Sequence, residues 1–141
     1  MTVKGYLHQA YRLDHKINSD IEELHSLREM ACSISSPQLG DKVQTSMKQD
    51  APFVRSVEKI MTLEDRINGE IDTLIDLKEQ MRGVIAAVEN TDEQMVLRYR
   101  YIHNMTWEDI GDELHADKST VRRWHGTALM HVVLPENPII I

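Results

Sequence analysis

The chain reads as all-α: a long antiparallel helical hairpin, coiled-coil-like, followed by a small tri-helical unit of helix-turn-helix layout. Three observations predict this. Apolar residues recur at alternating spacings of three and four through two long segments of the first 90 residues. The second segment repeats the first at an offset of 50 residues. Beyond residue 90 the periodic stretches become short and are separated by capping residues and turns, and the last of them is basic. The chain thus divides into 1–90 (hairpin), 91–134 (helix-turn-helix) and 135–141 (tail).

The first helix is expected over about 3–32. Its seam runs Val3, Tyr6, Ala10, Leu13, Ile17, Asp20, Leu24, Leu27 and Ala31. The second, over about 53–89, runs Ile60, Leu63, Ile67, Glu70, Leu74, Leu77, Met81, Val84 and Val88. Aligning Leu13–Glu29 with Leu63–Glu79 gives seven identities in 17 positions. Both copies put a carboxylate at the same seam position, Asp20 and Glu70, and Ile21 and Ile71 widen the stripe beside it. A hairpin in which paired numbers sum near 86 brings Asp20 toward Arg66 and Glu70 toward Lys16. Such seam charges add little stability but can fix register. The stripe is wide enough for a second copy of the chain to complete a four-helix bundle, so a homodimer through the N-terminal helices is expected over a monomer.

Between the two helices, 33–52 holds Ser, Pro, Gly and Asp and reads as a loop. A loop this long is often a functional segment or a mobile one. The tail Leu134–Ile141, with two prolines and three final isoleucines, can pack on the body or on a partner, and reads as a frayed end by default.

In the C-terminal unit, Thr91 can cap a helix running to about His103, with Asp92 and Glu93 in its first turn. Thr106 caps the next, with Asp109 three residues on and Trp107, Ile110 and Leu114 on one face. His115-Ala116-Asp117 is a short turn, and Asp117 can cap a third helix. There Val121, Trp124, Ala128 and Val132 recur toward the core. The opposite face carries Ser119, Arg122, Arg123 and Gly126, with Lys118 and Thr120 near its start. No acidic residue occurs from Lys118 to Val133. Arginine and lysine suit both phosphate and guanine, and a small residue permits close approach to a groove. Double-stranded DNA is therefore the expected partner, and Lys118, Ser119, Thr120, Arg122, Arg123 and Gly126 are the candidate contacts.

The pieces RYRYIHNMTWEDIGDEL and STVRRWHGTAL resemble region 4 of bacterial sigma factors and, more closely, phage-encoded transcriptional regulators of the RinA/ArpU type. LDHKIN, SSPQLGDKVQTS and KIMTLEDRIN resemble the companion region of that group. The resemblance implies regulation of phage genes, with late genes the expected targets. Carried over by position, it points to Lys118, Ser119, Arg122 and Arg123. The chain departs from the pattern after the tryptophan, where it has His125 and then Gly126.

Charge opposes simple DNA binding. The net charge is −7; residues 1–90 carry 11 basic and 15 acidic side chains, and 91–134 carry 5 and 7. Non-specific affinity, which rests on phosphate neutralisation, should be weak. Dimerisation or tethering to RNA polymerase would compensate. No apolar run approaches the roughly 20 residues of a membrane span, and with a single cysteine, Cys32, a reducing cytoplasm is expected. Phosphate-loop, dinucleotide, HExxH and CxxC motifs are absent. Glu22–His25 offers one Glu-x-x-His, but the repeat has Asp72–Ile75 in its place. No enzyme activity, cofactor or metal site is expected. Two other functions fit the same layout: a small-terminase-like DNA-recognition subunit, or a sigma-like module that binds polymerase without binding DNA alone.

Overall fold

A computed structural model describes residues 1–35 and 46–141. The described residues form an all-helical fold of five α-helices: α1 (Val3–Ser35), α2 (Ser46–Ala86), α3 (Thr91–Leu97), α4 (Trp107–Leu114) and α5 (Lys118–His131). A π-helical turn, Arg98–Ile102, directly extends α3. The expected loop at 33–52 needs correction at both ends. Residues 33–35 belong to α1 and 46–52 to α2; the remainder of that loop lies outside the described residues. Pro52 and the polar residues before it point to irregular chain, yet Pro52 lies inside α2. Proline costs a helix one N–H donor and some crowding, and it does not forbid one.

The chain forms two compact units, Met1–Asp14 with Thr73–Ile141, and His15–Asp72. In the second unit α1 and α2 run antiparallel. Leu24, Leu63 and Ile67 are buried together, with Leu27, Ile60 and Ile71 packed against them. Each such aliphatic side chain contributes roughly 1.5–3 kcal/mol when fully buried. Lys16 Nζ donates to Glu70 Oε1 at 2.8 Å, the expected register, and Arg28 pairs with Glu64. The expected approach of Asp20 to Arg66 does not occur. Arg66 is exposed, and Asp20 lies 3.9 Å from Lys16 instead. One lysine thus serves both seam carboxylates. Ile21, which the sequence places beside the seam, is exposed.

In the first unit the opening turns of α1 and the end of α2 share one core with the C-terminal helices. Tyr6, Leu7 and Ala10 pack with Leu77, Met81, Val84, Ile85 and Val88, and with Leu97, Tyr101, Ile102, Ala128 and Val132. The tail is not frayed. Gln9 Nε2 donates to Ile139 O, and Ile141 N–H donates back to Gln9 Oε1, both at 2.9 Å. Gln80 holds the tail from α2, accepting from Ile139 N and donating to Asn137 O. Tyr6 O–H donates to the same Gln80 oxygen at 2.7 Å. Two glutamine amides thus satisfy an extended segment whose backbone has no helical partners of its own, while Leu134 and Ile139 pack on the core.

Candidate nucleic-acid interface

The unit that presents α5 is built from local signals. Asn90, and not the expected Thr91, caps α3, its side chain accepting from Glu93 N. The π turn is closed by His103 N–H donating to Arg98 O, and Met105 N–H reaches Tyr99 O. Asn104 then takes a left-handed conformation, which asparagine tolerates better than most residues. Thr106 caps α4 as expected, accepting from Asp109 N. His115 closes α4 in the left-handed region, and Ala116 N–H bonds Gly111 O. Asp117 occupies the cap position of α5 without a side-chain cap bond.

Gly111 is what lets the two helices meet. A Cβ there would lie 2.6 Å from Ala116 O, so backbone fills the space a side chain would need. The small core of the unit is Val96, Ile110 and Val121, with Tyr99, Met105, Trp107, Leu114, Ala116 and Trp124 packed partly against it.

On α5 the inward stripe is Val121, His125 and Ala128, with Val132 buried just past its end; Trp124, which its spacing assigns to that stripe, is only half-buried. A histidine holds a core position because its polar atom is matched: Tyr101 Oη lies 2.6 Å from His125 Nε2. The ring also meets Trp107 edge-on at 4.8 Å between centroids. Burial, and then the charges of Lys4 and Arg100, depress the His125 pKa to about 4. Burial pushes Tyr101 up to about 12. The neutral imidazole and the neutral phenol thus share one buried hydrogen bond. His125 therefore belongs to the support of the helix rather than to its outward face.

The unfolded chain protonates His125 near 6.5 and the folded chain only near 4. Stability linked to the neutral ring is complete above the upper value and is lost as pH falls toward the lower one, about 3 kcal/mol in all. Urea melts between pH 7 and 4 should show this loss. Tyr101→Phe, which leaves Nε2 buried without its hydrogen-bond partner, should cost about 2 kcal/mol at pH 7.

The predicted contacts emerge together on the outward side. Lys118, Ser119, Arg122, Arg123 and Gly126 are exposed and Thr120 is half-buried. Positions 119, 122, 123 and 126 share one helical face, opposite the buried stripe. Among the described residues, Lys118 pairs with Glu108 at 3.6 Å, and no ion pair engages Arg122 or Arg123. A Cβ at Gly126 would meet nothing within 4 Å, so this part of the helix surface is open. Beside the turn, a cleft of about 610 Å³ is lined by Asp112, Asp117, Thr120 and Trp124 among others. Its carboxylates make it a poor phosphate seat.

Sequence reasoning missed Arg100. The π turn places its guanidinium 4.2 Å over the Trp107 ring, with Nη1 donating to Met105 O. Arg100, Thr106, Trp107, Glu108 and Lys118 line a smaller cavity of about 320 Å³ where α4 and α5 begin.

The model of a family described as a protein of unknown function, DUF1492, matches residues 33–132. The chain belongs to the DUF1492 family. The match runs from the last turn of α1 through α2, α3, α4 and α5, so the six candidate contacts lie inside the DUF1492 region. The opening turns of α1 and the tail lie outside it. No curated protein and no solved structure matches the chain. Among the described residues, no cluster of side chains could hold a metal ion, and no helix is long and apolar enough to cross a membrane.

Proposed function

We propose that this DUF1492 protein is a sequence-specific DNA-binding transcriptional regulator that reads the major groove with α5. The observation that carries this reading is the face of α5. Two exposed arginines, without ion pairs among the described residues, share it with a serine and an open glycine, on a helix anchored by its opposite stripe. The resemblance of the same residues to phage regulators of the RinA/ArpU type supports a role in phage gene control. An N-terminal hairpin that dimerises would present two reading helices about 34 Å apart, or a multiple of that, to a two-fold operator.

A second reading has its own observation. α4 exposes Glu108, Asp109, Asp112 and Glu113 beside the reading helix, an acidic face that suits a basic protein surface and repels phosphate. A sigma-like module docked on RNA polymerase by this face would use α5 only within the complex. Selection from a randomised duplex pool separates the two. A DNA reader enriches a shared sequence with the purified chain alone. A polymerase-dependent module enriches none until polymerase is added, and then loses the effect in the Asp112→Asn/Glu113→Gln variant.

A further inference from the structure

Acidic side chains outnumber basic ones in this chain, yet several cations gather at one place outside α5. Lys4, His8 and Arg12 follow one another at intervals of four along α1 and share a face. No acidic residue precedes Asp14. Lys4 and Arg12 are exposed, and His8, half-buried, stacks on Tyr11 at 5.2 Å. The adjacent face of the same turns, Tyr6, Leu7 and Ala10, is buried in one core with Tyr101 and Ile102. That packing holds the cationic face beside the π turn from which Arg100 projects. The electrostatics agree: burial and then Arg12, Arg100 and Lys4 depress the His8 pKa, and Lys4 and Arg100 act together on His125. Arg100 in turn shares a cavity with Lys118, the first residue of α5, and with Glu108, which pairs with that lysine. Positive charge thus gathers from the opening turns of α1 to Arg100, close to the start of the reading helix, in a protein of net charge −7.

We propose that this cluster, Lys4 and Arg12 with Arg100, is a second contact for duplex DNA, made to the phosphate backbone flanking the groove that α5 enters. The proposal rests on the DNA-reading function and extends it. α5 supplies sequence readout, and α1 supplies non-sequence-specific attraction that α4, with its carboxylates, cannot. Its charge fits a continuous line of phosphates and no apolar partner. A contact of this kind also answers the acidic balance of the chain, because local cations, not the net charge, release condensed counterions.

The test is the Lys4→Gln/Arg12→Gln variant of the full chain, with Arg55→Gln/Lys59→Gln on α2 as a charge-matched control. All four side chains are exposed, and single variants at residues 4 and 12 are measured alongside in case the double variant melts early. The probes are a duplex carrying the sequence that the wild-type chain enriches from a randomised pool, and the unselected pool itself. Binding is followed over a salt series. Removing one phosphate-neutralising cation lowers the slope of log affinity against log salt by about 0.9. The double variant should therefore be shallower by about 2 on both probes, each single variant by about half of that, and the control unchanged. Preference for the selected duplex over the pool should be retained. An unchanged slope in the double variant, or an equal drop in the control, overturns the second contact while leaving α5 as the reader. Failure of the wild-type chain to bind either probe overturns both.

Discussion

The Arg122→Ala/Arg123→Ala variant is expected to lose sequence-selective DNA binding while keeping its helices. Both side chains are exposed on α5, and neither is tied up in an ion pair among the described residues. Truncating them removes no packing from the Val121, His125 and Ala128 stripe, so stability should stay within about 0.5 kcal/mol of the parent. A bidentate arginine–guanine pairing is worth about 1–3 kcal/mol of discrimination. If the two arginines make even one such pairing and one phosphate contact, affinity for the selected duplex falls on the order of 100-fold. Fluorescence anisotropy on that duplex measures the fall, and far-ultraviolet circular dichroism checks the helices. Binding equal to the parent's would remove α5 from the mechanism.

Gly111→Ala should be the most damaging conservative change in the unit. At an open helical site alanine is better than glycine by about 1 kcal/mol. Here the added carbon would sit 2.6 Å from Ala116 O and within 4 Å of Ala116 C and Asp117 C. None of these is the end of a flexible side chain; all belong to the turn that sets α4 against α5. Relieving the clash means opening the bond from Ala116 N–H to Gly111 O or moving α5, with its Val121, off Ile110. A destabilisation of about 3 kcal/mol is expected, with α5 displaced. Gly126→Ala is the matched control, since its site is open, and should leave stability equal or slightly raised. Urea melts of the two variants decide the matter, and a Gly111→Ala protein as stable as the parent would mean the turn is not the rigid joint described.

How much of this is legible in the sequence varies by element. The hairpin is legible because its signal is repeated: two seams of the same spacing, and a register in which Lys16 meets Glu70. Thr106 and the basic face of α5 are legible because capping and amphipathicity are local. Other features depend on partners far along the chain. His125 looks like an outward residue beside a more hydrophobic Trp124, and only Tyr101, 24 residues earlier, makes its burial tolerable. The tail has no period to read, and what orders it are glutamines at positions 9 and 80. Arg100 gains its position from a π turn that the residues RYRYI do not announce. Gly111 leaves one clue, a glycine inside a strongly amphipathic helix, which signals close approach more often than looseness.

The most direct measurement is binding of the purified chain to duplex DNA selected from a randomised pool, over a salt series, with native mass recorded in parallel. Reading of the major groove by α5 predicts saturable binding by a dimer, preference for one sequence over the pool, and disappearance of that preference in Arg122→Ala/Arg123→Ala. Absence of binding even at low salt, or binding indifferent to both sequence and the two arginines, would contradict it.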